Sequence, residues 1–477
     1  MKNATKSFLY NNIAHAIEEQ INEGILKFGD KLPSVRILKK EYGVSVSTVL
    51  EAYYRLEAKS LIESRPRSGY YVVYSENKSL QKPAKTAPKA EPVLREVTDI
   101  IIDFYERIND KSIVNLSLGM PSPELMPVAK LNKTVNETVA KLPAGGTYYD
   151  SIQGSENLRR QIAQRTLLWG GNLKEQDIIT TTGCTSALSL ALMAVTKAGD
   201  TIAVESPVFF GILQLANALQ LRVLELPTDV DLGIDLALLE KSIKKQKLKA
   251  VVIISNFNNP LGSIMPDENK KGIVKIIEKY EVPLIEDDIY GEIYFEKKRP
   301  NTCKTYDTKG LVMWLGSFSK TIAGGYRVGW IAPGKFLQEV LKLKLCLSSS
   351  TPTITQEAIA NFLAKGRYDY HLRKLRQTLY ANSLKYMAAV VDYFPADTRV
   401  SKPKGSFLLW IELNENIDVN KLYKKALEYG IVFTPGNIFT LQNQYKNCMR
   451  LSYGMPWSTK IEKALKELGE LLKNSSL

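Results

Sequence analysis

The sequence has 477 residues, of which 44% are hydrophobic and 24% are charged. That length exceeds one ordinary domain and suits one small and one large domain, and the composition excludes general disorder. The net charge of +14 favours polyanionic partners, but it is weak evidence alone because lysine-rich proteomes give similar values.

The cysteine and histidine content excludes several kinds of site. The four cysteines lie far apart and form no CxxC pair, which argues against a zinc site or a disulfide framework. Two histidines nearly exclude a histidine-based triad or a multi-histidine site, so we expect no metal. The N-terminus lacks the apolar core of a signal peptide, and the longest apolar runs are strand-sized. We therefore expect a cytoplasmic protein without membrane spans.

Residues 1–74 are predicted to form a small, mainly helical domain that ends in two strands. Pro33 and Ser34 open a helix that Gly43 ends, and Ser45 caps a second helix, on which Val46 is expected to join the apolar face. Two short helices joined by a glycine-containing turn make a helix-turn-helix. The runs LIES and GYYVV then pair as a hairpin around RPRSG, which gives a basic wing.

This helix-turn-helix predicts a DNA interface, with the start of the second helix in the major groove. A small helical bundle with an ordinary solvated face is the alternative. The candidate DNA-contacting residues, which are short donors for bases and arginines for phosphate, are Arg36, Ser45, Ser47, Thr48, Arg65 and Arg67.

Residues 8–73 resemble the GntR-type winged helix through the patterns LPSxRxL, GVSxxTVxxAYxxL and SGxxV. The resemblance implies DNA contacts at Arg36, Ser45, Ser47 and Thr48. One departure is ILKKEYG, where that family usually shows a more apolar segment.

Residues 75–93 hold three prolines and four lysines, which predicts a solvated, semi-extended linker that lets the small domain move independently. From 94 to 477 the pattern changes again. An amphipathic helix is predicted over 94–108, and apolar strand-like runs then alternate with helix-length segments. This alternation predicts an α/β domain around a parallel sheet.

Two motifs in this large domain suit the binding of pyridoxal 5′-phosphate (PLP). SFSK follows an apolar strand and makes Lys320 the candidate for the Schiff base, with Ser317, Ser319 and Arg327 as phosphate ligands. IEDDIYGE places Asp287 at the end of a buried strand, where a protonated pyridine nitrogen would pair with it, and Tyr290 would reach the phenolic oxygen. A polar helix start after a strand is the alternative.

Four further segments extend the predicted site. Asn259 precedes a proline and is a candidate donor to the phenolic oxygen. Cys184 and Thr185 open a helix whose N-terminus suits phosphate. Phe209 either stacks on the PLP ring or is an aromatic residue of the core, and the sequence favours the two interpretations equally. Arg450 is a candidate for gripping a substrate or effector carboxylate, although a lone arginine is usually solvated or ion-paired.

In this order the motifs resemble fold-type I aminotransferases over residues 113–477, above all in SFSKTIAGGYRVGW. The resemblance implies a large parallel-sheet domain with a smaller α+β lobe. It implies that PLP binds Lys320 and that the other candidate residues have the roles given in the two preceding paragraphs. It also implies that Arg450 binds the α-carboxylate of an amino acid. It also suggests that Tyr148 or Tyr149 reaches the phosphate of a partner subunit.

The two domains together are similar to the MocR subfamily of GntR regulators. That resemblance implies a homodimer, a DNA operator, and PLP or a small amino compound as effector. A working aminotransferase that carries a DNA-binding appendage is the alternative, because the motifs do not separate the two.

Overall fold

The computed structural model describes residues 9–27, 29–59, 61–65, 68–72, 80–94 and 113–475. We call residues 9–72 the head, residues 80–94 the strap and residues 113–475 the body. The helix predicted over 94–108 lies outside the described residues, except for Leu94. Among the helices that are described, none combines the length and the apolar character that crossing a bilayer requires.

The head contains the predicted helix-turn-helix and hairpin. Its helices are α1 (Leu9–Asn22), α2 (Val35–Tyr42) and α3 (Val46–Ala58), and its antiparallel strands are β1 (Ile62–Arg65) and β2 (Gly69–Val72). Ser34 and Ser45 cap α2 and α3, and Gly43 takes the left-handed conformation at φ 62°. The local signals therefore place the helices as predicted.

The core of the head lies between α1 and α3. Val49, Tyr53 and Leu56 are fully buried against Ile17 and its neighbours on α1. Val46, which was expected on this apolar face, is instead 44% exposed, so that expectation is wrong. Val46 begins α3 at the end that carries the exposed Ser45 and Ser47, outside the contact with α1.

An eight-stranded sheet in the order β4-β11-β10-β9-β8-β5-β6-β7 forms the centre of the body. Its strands are β4 (Ile179–Thr181), β5 (Thr201–Ser206), β6 (Arg222–Asp229), β7 (Gly233–Ile234), β8 (Ala250–Ile253), β9 (Leu284–Asp287), β10 (Val312–Ser317) and β11 (Gly329–Ala332). Neighbouring strands from β6 to β10 are parallel, as predicted. The sheet as a whole is mixed, because β11 and β7 run antiparallel to their neighbours.

Helices cover the large sheet, and its central strands are buried along their whole length, as their Val/Ile/Leu-rich sequences require. The helices of this part are α4 (Val128–Val139), α5 (Glu156–Thr166), α6 (Cys184–Val195), α7 (Phe210–Ala218), α8 (Leu236–Gln246), α9 (Asp267–Tyr280), α10 (Leu337–Ser348), α11 (Thr353–Ala364) and α12 (Arg367–Tyr393).

The structure contains the predicted smaller α+β lobe, most of which follows α12. Its four-stranded antiparallel sheet has the order β12-β13-β16-β15, and a short parallel pair joins β14 to β3. The elements are β3 (Val114–Asn115), β12 (Arg399–Val400), β13 (Leu408–Glu412), α13 (Val419–Glu428), β14 (Ile431–Val432), β15 (Thr434–Pro435), β16 (Cys448–Ser452) and α14 (Thr459–Ser475).

The strap lies along the body and bonds to both of its parts. Val93 exchanges two backbone hydrogen bonds of 2.8 Å with Val223 of β6. The carbonyl of Gln81 accepts from the N–H of Val400 in β12 at 2.8 Å. Thr86 donates from its hydroxyl to the carbonyl of Ser206 at 2.8 Å. The described part of the predicted linker is therefore extended but attached to the body, so it does not give the head the free reach that we expected.

Candidate functional site

A cavity of about 380 Å³ lies at the carboxyl ends of the central strands, where β9 ends at Asp287 and Lys320 follows β10. Carboxyl ends of parallel strands meet at one edge of a sheet, which brings distant motifs together. The predicted residues that line the cavity are Asn259, Asp287, Tyr290, Lys320, Cys184, Thr185, Phe209, Ser319, Arg327 and Arg450.

Three consecutive acidic residues at the end of β9 have different partners. Glu286 accepts hydrogen bonds from Ser255 and from two main-chain N–H groups. Asp288 pairs with the Arg299 guanidinium at 2.5 Å and accepts from the Trp314 indole at 2.9 Å. No ammonium or guanidinium in the described part of the chain lies within ion-pairing distance of Asp287. Glu286 and Asp287 thus both lack a cation, and of these two Asp287 is the one that lines the cavity.

Asp287 accepts only two hydrogen bonds that the structure records, both at Oδ1. The Ile289 N–H donates at 3.0 Å and the Cys184 thiol at 3.3 Å. Burial raises the pKa of Asp287 to about 6, although both donors oppose the rise. The cost of burying an unpaired charge is what a cationic ligand in the cavity would remove.

Lys320 is a half-buried lysine whose Nζ donates to the carbonyl of Gly119. Burial and, to a smaller extent, the charge of Arg450 lower the pKa of Lys320 to about 8, while the charge of Asp287 opposes this shift. A fraction of this amine is therefore neutral near neutral pH, which is the form that attacks a carbonyl group.

A chain of hydrogen bonds joins Arg450 to Tyr290. The Arg450 guanidinium donates to Asn259 Oδ1 at 2.8 Å and to the carbonyl of Ser117 at 2.8 Å. The Asn259 amide donates to the hydroxyl of Tyr290 at 3.4 Å. Burial raises the pKa of Tyr290 well above its usual range, so its hydroxyl keeps its proton. These three side chains are held as one unit.

A candidate anion-binding site lies where α6 begins. Gly183 precedes the helix at φ 98°, and a Cβ there would lie 2.5 Å from the guanidinium of Arg327. Glycine is thus required for Arg327 to approach the helix N-terminus, where free N–H groups favour an anion. Ser319 lines the cavity, whereas the hydroxyl of Ser317 donates to the carbonyl of Val328 at 2.9 Å and contacts Ser319.

The structure adds cavity residues that the sequence motifs did not identify. Gly119 accepts from Lys320, and Leu118 and Met120 beside it also line the cavity. In the sequence, the residues Gly-Met-Pro between an apolar strand and a polar segment indicate a turn at this position, but such turns are common. Ile289, which lies between Asp287 and Tyr290 in the chain, also lines the cavity.

Tyr148 and Tyr149 lie outside this cavity and are 78% and 90% exposed. Two neighbouring aromatic side chains with such exposure are unusual on a protein surface. Their predicted contact with the phosphate of a partner subunit stays a prediction.

The start of α3 carries three of the predicted DNA-contacting residues of the head, and Arg36 lies on α2. Arg36, Ser45 and Ser47 are exposed and Thr48 is half-buried. Ser45 accepts from the N–H of Thr48 at 3.1 Å and contacts the hydroxyl of Ser47 at 2.7 Å, so it already caps the helix. The main chain of Arg65 ends β1, but its side chain and all of Arg67 lie outside the described residues.

Comparisons with known proteins agree with this two-part structure. Residues 9–72 match the bacterial regulatory proteins of the gntR family, and residues 111–468 match aminotransferase class I and II. The chain is 38% identical over 461 residues to the uncharacterized HTH-type transcriptional regulator YjiR of Escherichia coli, covering 97% of this chain and 98% of that protein. The chain belongs to the MocR-type regulators of the GntR family.

The body of this MocR-type chain is also similar to enzymes. It is 28% identical over 380 residues to aromatic-amino-acid aminotransferase 1 of Thermococcus litoralis, covering 78% of this chain and 91% of that enzyme. The crystal structure of the multiple substrate aminotransferase of Thermococcus profundus superposes with a TM-score of 0.74 at 25% identity, covering 80% and 96% of the two chains. The fold is that of the fold-type I aminotransferases, a family whose members depend on PLP.

We expect Asp287→Asn to stabilise the protein in the absence of PLP. Asparagine keeps the acceptor for Ile289 and Cys184 but carries no buried charge. The pKa of Asp287 is raised from 3.8 to about 6, so its ionisation costs stability increasingly above pH 3.8 and fully above about pH 6. The variant should gain about 1–3 kcal/mol near pH 7 and nothing below about pH 4.

Urea denaturation at both pH values measures this difference. Asp288→Asn is the control, and it should lower stability because it leaves Arg299 without its closest partner. Equal midpoints for Asp287→Asn and the wild type near neutral pH would contradict the prediction.

Proposed function

We propose that this chain is a transcription regulator whose head binds a double-stranded DNA operator and whose body binds PLP at Lys320 to sense PLP or a small amino compound. One observation carries the proposal. A lysine of lowered pKa and a buried carboxylate without a cation share one cavity, on a chain that also carries an exposed winged helix.

The residues around the cavity fit PLP in charge and in size. A volume of about 380 Å³ suits a small cofactor together with part of a ligand. Asp287 would pair with the protonated pyridine nitrogen, and Asn259 and Tyr290 would hold the phenolic oxygen. Arg327, Ser319 and the N–H groups that open α6 would hold the phosphate, with Ser317 positioning Ser319.

When bound, PLP supplies an aldehyde that condenses with amines and a ring that withdraws electrons. The side chains of the protein prepare for that chemistry. Lys320 offers an amine that is partly neutral near pH 7 because its pKa is lowered to about 8. Asp287 would keep a proton on the ring nitrogen, and Phe209 lines the cavity. Arg450, oriented by Asn259 and Ser117, would bind the carboxylate of an amino acid.

The head supplies the DNA-binding half of the function. The exposed start of α3 would enter the major groove, with Ser47 and Thr48 near base edges and Arg36 near phosphate. Arg65 and Arg67 of the wing keep their proposed role at the phosphate backbone. A protein that acts on DNA would work in the cytoplasm of a bacterial cell.

We further propose that the regulator is a homodimer. Tyr148 and Tyr149 are exposed. The side chains of Leu345 and Leu347, at the end of α10, are also exposed, at 53% and 56%. A second copy of the chain would cover such apolar surface. The division into residues 1–74, 75–93 and 94–477 also remains a proposal.

A working aminotransferase is the second candidate function. The full set of predicted PLP ligands favours it, and so does the similarity to the aromatic-amino-acid aminotransferase of Thermococcus litoralis. We favour the regulator because an enzyme has no use for the exposed start of α3 and the hairpin beside it.

Capture of PLP by the protein should depend on pH through Lys320. Because only the neutral amine attacks the aldehyde and its pKa is about 8, the rate should rise about tenfold per pH unit below pH 8 and level off above it. Stopped-flow absorbance measures the rate, and Lys320→Met should remove all PLP that borohydride can fix to the protein.

Lys344→Met is the matched control for that experiment. Lys344 is also buried with a pKa lowered to about 8, but it donates to the carbonyl of Ile152 outside the cavity. The control should capture PLP as the wild type does. Covalent capture by Lys320→Met would contradict the assignment.

Serine substitutions should separate helix capping from DNA contact. Ser45→Ala removes the cap of α3 and should lower both DNA affinity and head stability, the latter by about 1 kcal/mol. Ser47→Ala should lower DNA affinity alone, because no main-chain bond depends on its hydroxyl in the structure. Fluorescence anisotropy with operator DNA and thermal unfolding measure the two effects. Unchanged DNA affinity in both variants would contradict the proposed interface.

The proposed function itself is tested by two measurements on the full-length protein with PLP. We expect a sequence-specific footprint upstream of its own gene, which Arg36→Ala should weaken without changing the visible PLP band. We expect little turnover with a panel of amino acids and 2-oxoacids. Robust transamination without any specific footprint would instead establish the enzyme.

A further inference from the structure

A second pocket, of about 250 Å³, lies between the segment that leads into α4 and the first half of α12. We call it the α4 pocket. It shares no lining residue with the PLP cavity. Its wall is apolar at Met126 and Leu375 and charged at Glu124, Lys130 and Lys374. None of the proposed PLP, carboxylate or DNA contacts involves these residues.

The first turn of α4 lines this pocket and has no capping side chain. Pro127 occupies the N-cap position and makes no side-chain hydrogen bond to the helix. Within the described residues, no oxygen accepts from the main-chain N–H of Ala129 or of Lys130. Both residues line the pocket. Because N–H groups at a helix start point back along the axis and favour negative charge, this end of the pocket is suited to an anion.

The imidazole of His371 is a second and independent indication of a ligand. His371 lines the pocket, yet only 7% of its surface is exposed. Its Nε2 lies 2.7 Å from the carbonyl of Thr321, and since a carbonyl oxygen only accepts, Nε2 carries a proton. No described residue bonds to the other ring nitrogen, Nδ1. Buried polar atoms normally have a partner, so Nδ1 is a position at which a ligand atom would bind.

Two ammonium groups make the pocket positive around this ring. Burial and, to a smaller extent, the charges of Lys130 and Lys374 lower the pKa of His371. Both lysines therefore act on the ring directly. The Lys130 ammonium also lies 4.4 Å from the centre of the Tyr370 ring, which holds it at the pocket. An anion placed between the two lysines would remove their effect on His371 and favour its protonated form.

The remaining wall restricts which anions fit. Met126, Leu375 and the ring of Tyr370 offer apolar surface. Among the described lining residues Glu124 is the only acidic one, and its carboxylate accepts from the hydroxyl of Ser122 at 3.2 Å. A second negative charge on the ligand would meet this carboxylate. The volume is below the range usual for drug-sized ligands, so the occupant must be small.

We propose that the α4 pocket binds a small carboxylate with an apolar or aromatic tail, whose charged group lies between Lys130 and Lys374 and accepts a hydrogen bond from His371. His371 takes up a proton from solvent at Nδ1 as the anion binds. The other titratable side chains that line the pocket are Glu124 and Tyr370. The inference goes beyond the proposed function and does not depend on it, since it involves no PLP contact.

Histidine NMR tests this site directly, because the chain contains only His15 and His371. Protein isotope-labelled at the histidine Cε1 atoms gives two signals, which His15→Asn assigns. Near pH 7, benzoate should move the His371 signal toward its protonated position, with half-saturation at about 1–10 mM, and should leave the His15 signal in place. Benzamide, which has the same ring without the charge, should move neither signal.

Lysine substitutions locate the bound anion. Lys130→Met and Lys374→Met should each weaken benzoate binding about tenfold, the effect of removing one charge-assisted contact. Both lysines are exposed, so the fold does not depend on them. Lys141→Met is the matched control, since this exposed lysine follows α4 and lies outside the pocket, and it should bind benzoate as the wild type does. Unchanged affinity in both pocket variants would place benzoate elsewhere, for example at Arg450, and would overturn the proposal.

The same titration decides the class of ligand. An unmoved His371 signal at saturating benzoate would overturn the site. An equal movement with benzamide would overturn the role of the negative charge. Inorganic phosphate that binds as tightly as benzoate, or more tightly, would overturn the assignment to a carboxylate with an apolar tail. Each of these results leaves the proposed function at Lys320 and in the head untouched.

Discussion

A buried carboxylate without a cation, held at the end of a central strand, is the constraint on which the body depends. Main-chain N–H groups donate to Glu286, and Arg299 pairs with Asp288. Asp287 between them accepts hydrogen bonds from the protein but has no cationic partner. A cationic ligand in the cavity would remove the cost of burying this charge. The lowered pKa of Lys320 belongs to the same environment, because burial favours the neutral amine as it disfavours the carboxylate.

The site lies where the large sheet and the small lobe of the body meet. The large sheet provides Asp287 and Lys320 from the carboxyl ends of β9 and β10, and the small lobe provides Arg450 from β16. A ligand in the cavity would contact residues of both parts. The strap and α12 contact both parts, and the head contacts α12 through Glu63 and Lys385.

Much of this organisation could be predicted because the decisive groups lie in short local motifs. Caps and turns place α2 and α3, and buried strands that end in polar residues place Asp287 and Lys320. The antiparallel β11 could not be predicted, because an apolar strand shows no direction in its sequence. The exposure of Val46 was also missed, since helical periodicity does not reveal where the contact with a neighbouring helix stops.

By itself the sequence determined the two-part architecture, the fold classes and the lysine, acid and arginine residues of the site. Each of these site residues lies in a short motif of neighbouring residues. Only the tertiary structure decided that the strap lies on the body, that Gly119 holds Lys320 across 201 positions and that Lys385 meets Glu63 across 322. Such contacts depend on how distant segments pack, and no local pattern records which partner a side chain will find.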